Sequence, residues 1–66
     1  MSVVNNLKEI RHDYRMNQTE FASFLDISIH QYNRYEKQAI QPSLEIALKI
    51  SEKVNRPVNE IFKRTP

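Results

Sequence analysis

The chain of 66 residues contains no cysteine and no glycine. Without cysteine, neither a disulfide nor a thiolate metal site braces the fold, which leaves economical helix packing as the route to stability. Without glycine, there is no glycine-rich loop to cradle a nucleotide phosphate. Long apolar runs are missing as well. None approaches the about 20 residues needed to cross a bilayer, and the polar start Met1-Ser2 leads into no signal-like apolar region. A soluble, cytoplasmic protein with no membrane partner is expected. A chain this short holds one domain, 1–66, and buries only about 60% of the surface its unfolded form exposes. Charge of one sign is also scarce: ten basic residues against eight acidic ones leave a net charge of +2. The pI near 9.2 is compatible with a polyanionic partner. Whether it matters depends on basic and hydrogen-bonding groups gathering on one face.

What is present is helical. Leu7, Ile10, Arg11 and Tyr14 recur at helical spacing after Asn5 or Asn6 as the cap, and this is the first helix. Asn17-Gln18-Thr19-Glu20 places a capping side chain three residues before a glutamate, the reciprocal pattern that satisfies free amides at a helix start. The second helix follows and buries Phe21, Ala22 and Leu25. After Asp26-Ile27, Ser28 caps a third helix with Gln31 in the box position, running to about Lys37. Pro42-Ser43 opens a fourth, whose Leu44, Ala47, Leu48, Ser51 and Val54 share one face, with Asn55 as a left-handed terminator. A short fifth helix begins near Pro57 and carries Val58, Ile61 and Phe62 on a common side. Phe24 and Ile46 fall outside the core stripes. Ser2-Val3-Val4 reads as a short extended arm lying against the tail at Lys63 to Thr65. The fold class is therefore all-α, a compact five-helix bundle.

Only Asp26-Ile27 separates the second and third helices, and so short a link between capped helices forces a sharp angle. That is helix-turn-helix geometry. On a wheel of the third helix Tyr32 and Tyr35 point one way, with Gln31 at their edge. Ile29, His30, Asn33, Arg34 and Lys37 share the opposite side. An outward face of that composition suits the major groove, where Arg bonds guanine, Asn bonds adenine, and an aliphatic group meets a thymine methyl.

With these residues in view, the sequence resembles the lambda-repressor-like, or Cro-type, helix-turn-helix regulators, also called the xenobiotic-response-element family. The likeness spans about Leu7 to Phe62. It rests on Leu7-Lys8-Glu9-Ile10-Arg11, Asn17-Gln18-Thr19-Glu20-Phe21-Ala22, Ile27-Ser28 through Tyr35-Glu36, Pro42-Ser43-Leu44 and Glu60-Ile61-Phe62. It is similar to the short, stand-alone transcriptional regulators of that family, several of them dimers. The resemblance implies that Asn17 and Gln18 hold a DNA phosphate at the start of the second helix, a place that already favours an anion. Ser28 and Lys37 would hold the flanking backbone. Ile29, His30 and Arg34, with Asn33 beside them, match base-reading positions. Arg11 and Glu36 match a pair joining the first helix to the end of the third, which leaves Arg11 close to a phosphate. The family usually has glycine in the turn and again after the third helix, where this chain has Asp26 and Gln38. Asp tolerates positive φ; Gln38 either bears a larger cost or the loop differs. Pro57 stands where a capping serine or threonine is common.

Each assignment has a plainer counterpart. Tyr32 and Tyr35 are read as core with wet hydroxyls rather than as DNA contacts. Arg34 shares a face with Asn33 and His30, which favours base contact over an ordinary solvated arginine. Ile29 either shields the turn or meets a thymine methyl. Val58, Ile61 and Phe62 are candidates for an isologous dimer patch, with core closure the plainer role for Ile61. Dimerisation matters because one module buries too little surface for tight specific binding. No enzyme, metal or cofactor is expected: neighbouring His12 and Asp13 point apart by about 100 degrees, and His30 has no ligand-spaced partners. The expected function is a regulator, a repressor, that binds double-stranded DNA as a homodimer on a palindromic operator and associates with the nucleoid. The alternative is a protein-interaction module, such as an antitoxin-like partner, that keeps the fold without reading sequence. No small-molecule effector domain is expected.

Overall fold

Capping side chains start three of the five helices and left-handed residues stop four of them. The computed structural model describes residues 2–66. The element order is β1 (Val3–Asn5), α1 (Leu7–Asp13), α2 (Gln18–Leu25), α3 (Ile29–Glu36), α4 (Leu44–Val54), α5 (Val58–Ile61) and β2 (Phe62–Arg64). Asn17 caps α2 with a complete reciprocal box: its Oδ1 accepts from the Glu20 amide at 2.8 Å, and the Glu20 carboxylate accepts from the Asn17 amide at 2.9 Å. Ser28 and Ser43 cap α3 and α4 through their hydroxyl oxygens. Pro57 offers no side-chain cap, and α5 is a single turn of four residues.

Four helices end alike despite the lack of glycine. Arg15, Asp26, Gln38 and Asn55 all take positive φ, between 56° and 65°. After each, the next amide donates to the carbonyl five residues back: Met16 to Arg11, Ile27 to Ala22, Ala39 to Arg34 and Arg56 to Ser51. This is the Schellman stop, which normally uses glycine because a Cβ in that region costs about 1–2 kcal/mol. The loop after α3 thus takes the turn that glycine would make, and Gln38 adopts the left-handed conformation itself.

The core gathers Leu7 and Ile10 of α1, Phe21, Ala22 and Leu25 of α2, Tyr32 and Tyr35 of α3, Ile50 and Val54 of α4, and Ile61 of α5. Two expectations change here. The buried face of α4 is Ala47, Ile50 and Val54, whereas Leu44 and Leu48 are 72% and 48% exposed. The helix is rotated by roughly 70 degrees from the stripe drawn through its leucines, because α2 and α5 pack against the Ala47–Ile50 side. Phe24 and Ile46, expected outside the core, are half-buried and packed on it. Phe24 does so through an aromatic cluster, its ring centroid 5.3 Å from Tyr14 and 5.9 Å from Phe21.

The terminal segments form an antiparallel ribbon with Val3 opposite Arg64, Val4 opposite Lys63 and Asn5 opposite Phe62. Ser2 and Thr65 extend it, the Thr65 amide donating to the Ser2 carbonyl at 2.8 Å. The bundle thus carries a small sheet closing its two ends together. No helix among the described residues is long and apolar enough to cross a membrane.

Candidate nucleic-acid interface

The link between α2 and α3 is tight because its pivot, Asp26, is left-handed and held from outside. Lys49 of α4 donates through Nζ to the Asp26 carbonyl at 2.8 Å and lies 3.4 Å from its carboxylate. Beyond the pivot the Ser28 hydroxyl accepts from the Gln31 amide at 3.2 Å, which fixes the first turn of α3. From inside, Tyr32 is fully buried and meets the Phe21 ring edge-on at 5.6 Å and 76°. Tyr35 is buried one turn on.

Those two anchors decide what α3 presents. His30, Gln31, Arg34 and Lys37 are exposed, while Ile29 and Asn33 are half-buried, Ile29 against the core. The outward stripe is therefore centred on His30, Arg34 and Lys37, with Ile29 and Asn33 on its flank. Gln31 joins the stripe, although the helical wheel sets it at the edge of the tyrosine side. Its polarity was the available signal: a glutamine beside buried rings finds no partner inside and turns out, here with Oε1 3.5 Å from the Ser28 hydroxyl.

At the far end of α3 one carboxylate gathers three elements. Glu36 accepts from Arg11 Nε at 2.9 Å and from Arg11 Nη2 at 3.0 Å, a bidentate pair. It also accepts from Gln18 Nε2 at 2.9 Å and from the Tyr32 hydroxyl. Arg11 Nη1 continues to the Met16 carbonyl at 3.1 Å. The Arg11 and Glu36 side chains are only 12% and 6% exposed. Burial opposes the ionised form of Glu36, but the bonds from Arg11, Tyr32 and Gln18 outweigh it and hold its carboxyl down at about 2. The bond to Glu36 raises Arg11 against its own burial. Burial first, and then the bond to Glu36, drive the Tyr32 hydroxyl far above the usual tyrosine range, so it remains a donor. A negative side chain in the last turn opposes the helix dipole, and the arginine offsets this.

The cluster brings Arg11, Gln18 and Glu36 to the start of α2. Asn17 spends its Oδ1 on the cap, which leaves the first-turn amides of Gln18 and Thr19, beyond the reach of any i−4 carbonyl, available to an anion. Gln18 gives one Nε2 hydrogen to Glu36 and keeps a second. Ser28 and Lys37 are exposed at the two ends of α3. Of the residues considered for a dimer patch, Ile61 is 1% exposed inside the core, while Val58 and Phe62 are half-buried. Ile61 therefore closes the core and offers a partner no surface.

A second helix locked across a first by a left-handed turn, buried aromatics behind it and donors in front define a class, the DNA-binding helix-turn-helix regulators. The helix-turn-helix family of lambda-repressor and Cro-like proteins matches residues 7–61, and the chain belongs to that family. In three dimensions it is similar to the crystal structure of a protein from Bacteroides fragilis provisionally described as DNA-binding. The TM-score is 0.78 at 19% identity, over 94% of this chain and 100% of the other. At that identity the likeness speaks for the fold. No curated protein matches the sequence.

Proposed function

We propose that this protein is a sequence-specific regulator of transcription, a repressor, that sets α3 in the major groove of double-stranded DNA. One observation carries the reading: the outward stripe of α3 is polar and basic, with His30, Gln31, Arg34 and Lys37 exposed over a helix whose inner side is pinned by Tyr32 and Tyr35. Arg34, His30 and Asn33 read base edges, Ile29 meets a thymine methyl at the flank, and Gln31 adds a donor and an acceptor. The amides and side chains at Asn17 and Gln18 hold one phosphate near Arg11, and Ser28 and Lys37 hold the backbone at either end of α3. An interaction module that had given up DNA would make this stripe apolar or acidic.

The working form is a homodimer on a palindrome, with two recognition helices roughly 34 Å apart. Among the apolar surfaces open to a second copy are Leu44 and Leu48 on α4, and half-buried Val58 with Phe62 near the tail. The protein acts in the cytoplasm, on the nucleoid. Selection of bound sequences from a random duplex pool tests the proposal. A recovered palindrome with half-sites about one helical turn apart is expected; recovery of no shared sequence overturns it.

A further inference from the structure

Of the four left-handed helix stops, Arg15 and Gln38 are of residue types that do not favour that region, and of the two only Gln38 has side-chain bonds to hold it there. Asp and Asn visit that region more readily than other residues with a Cβ, and Asp26 and Asn55 do so here. The side chain of Gln38 reaches across the molecule to β1. Its Oε1 accepts from the Asn5 amide at 3.0 Å and its Nε2 donates to the Asn5 carbonyl at 2.9 Å. The ribbon explains why those two groups are free. Inter-strand bonds are made at Ser2 with Thr65 and at Asn6 with Ile61, so by alternation the main-chain groups of Asn5 face the open edge of β1. The Gln38 amide fills that edge as a neighbouring strand residue would.

The Asn5 side chain returns the contact. Its Nδ2 donates to the Tyr35 carbonyl at 2.9 Å, in the last turn of α3, and to Gln41 Oε1 at 2.8 Å. Its Oδ1 accepts from the Leu7 amide at 3.1 Å and so starts α1. Gln41 Nε2 closes the web on Gln38 Oε1 at 3.1 Å. One residue of the arm thereby joins the first turn of α1, the last turn of α3 and a strand whose partner is the carboxy-terminal segment.

We infer that Asn5 and Gln38 form a latch that makes the seating of the recognition helix depend on closure of the terminal ribbon. They are positioning residues for the proposed DNA reading, on which this inference rests. Arg34 and Lys37 lie in the turn that the latch holds, and neither is needed to form it. If β1 leaves β2, Asn5 moves with it, and the end of α3 that carries these two side chains loses its outer support. The linkage is reciprocal: DNA that holds this end of α3 in place tightens the ribbon.

Two glycine substitutions separate the latch from backbone relief. Arg15→Gly and Gln38→Gly remove a Cβ from equivalent left-handed positions, but only the second cuts bonds to Asn5. The first should leave ribbon amide exchange and the ratio of selected to random affinity unchanged, its lost charge weakening binding to all duplexes alike. Gln38→Gly should speed exchange of the Asn5 and Thr65 amides about tenfold while amides in the middle of α2 and α4 stay as slow as before. On a duplex selected from a random pool by the wild-type chain, Gln38→Gly should lose about three- to tenfold in affinity, with a smaller loss on random duplex. Unchanged Asn5 and Thr65 exchange overturns the latch, and faster exchange with an unchanged ratio of selected to random affinity overturns its positioning role. If the wild-type chain selects no duplex, the DNA reading fails, while the exchange comparison still decides whether the latch exists.

Discussion

Glu36 concentrates more of the interface's order than any other side chain, because three elements donate to it: α1 through Arg11, α2 through Gln18, and α3 through Tyr32. Its carboxyl titrates near 2 in the folded chain against 4.5 for an ordinary glutamate. Between those values the unfolded chain binds the proton more readily, so the contribution of Glu36 is complete above about pH 4.5 and is lost as the pH falls towards 2. Its size is on the order of 3 kcal/mol. Urea unfolding of Glu36→Gln should show a chain weaker than wild type by a few kcal/mol at neutral pH, with the gap closing on acidification, since the variant also leaves Arg11 without its partner. Stability curves that run parallel from neutral pH to pH 2.5 would remove Glu36 from this role. The pairing of Arg11 with Glu36 was legible in the sequence through the family resemblance. The parts played by Tyr32 and Gln18 were not, because the glutamine is eighteen residues from Glu36 and nothing in its spacing points there.

At the scale of elements, starts were easier to read than stops. Asn17 with Glu20, Ser28 and Ser43 carry their capping chemistry within four residues, and each caps the helix it precedes. Asp26 and Asn55 were legible as terminators because Asp and Asn tolerate positive φ. Arg15 and Gln38 were not, since neither side chain favours positive φ; in Gln38 the compensation comes from Asn5, 33 residues away. The face of α4 was legible only in part: Ala47 and Val54 are buried as expected, but Ile50 is buried in place of Leu44 and Leu48. Two apolar stripes run along that helix, and choosing between them requires knowing what packs against it; the leucines drew the choice to the wrong one. Because the cap of α2 also shapes the proposed phosphate site, Asn17→Ala should have two effects. It should cost about 1 kcal/mol of stability in thermal or urea unfolding, and it should weaken binding to all duplexes alike. A loss of affinity confined to one sequence would assign Asn17 to base reading instead.

For the whole molecule, the net charge of +2 is too small to bind DNA by bulk attraction, so any strong salt dependence must come from a few placed contacts. Lys37 is the placed lysine on the outward stripe. Plotting log affinity against log salt for wild type and Lys37→Ala should flatten the slope by about two in a dimer and by about one in a monomer. An unchanged slope would take Lys37 off the backbone. The same experiment therefore reports on pairing, which the exposed Leu44 and Leu48 favour. The central claim, that α3 reads sequence, is tested most directly by measuring Arg34→Ala on the selected duplex and on random duplex at one salt concentration. A loss of about 1–3 kcal/mol on the selected duplex, with relaxed preference at one base position and little change on random DNA, is the expected result. Equal losses on both would contradict it.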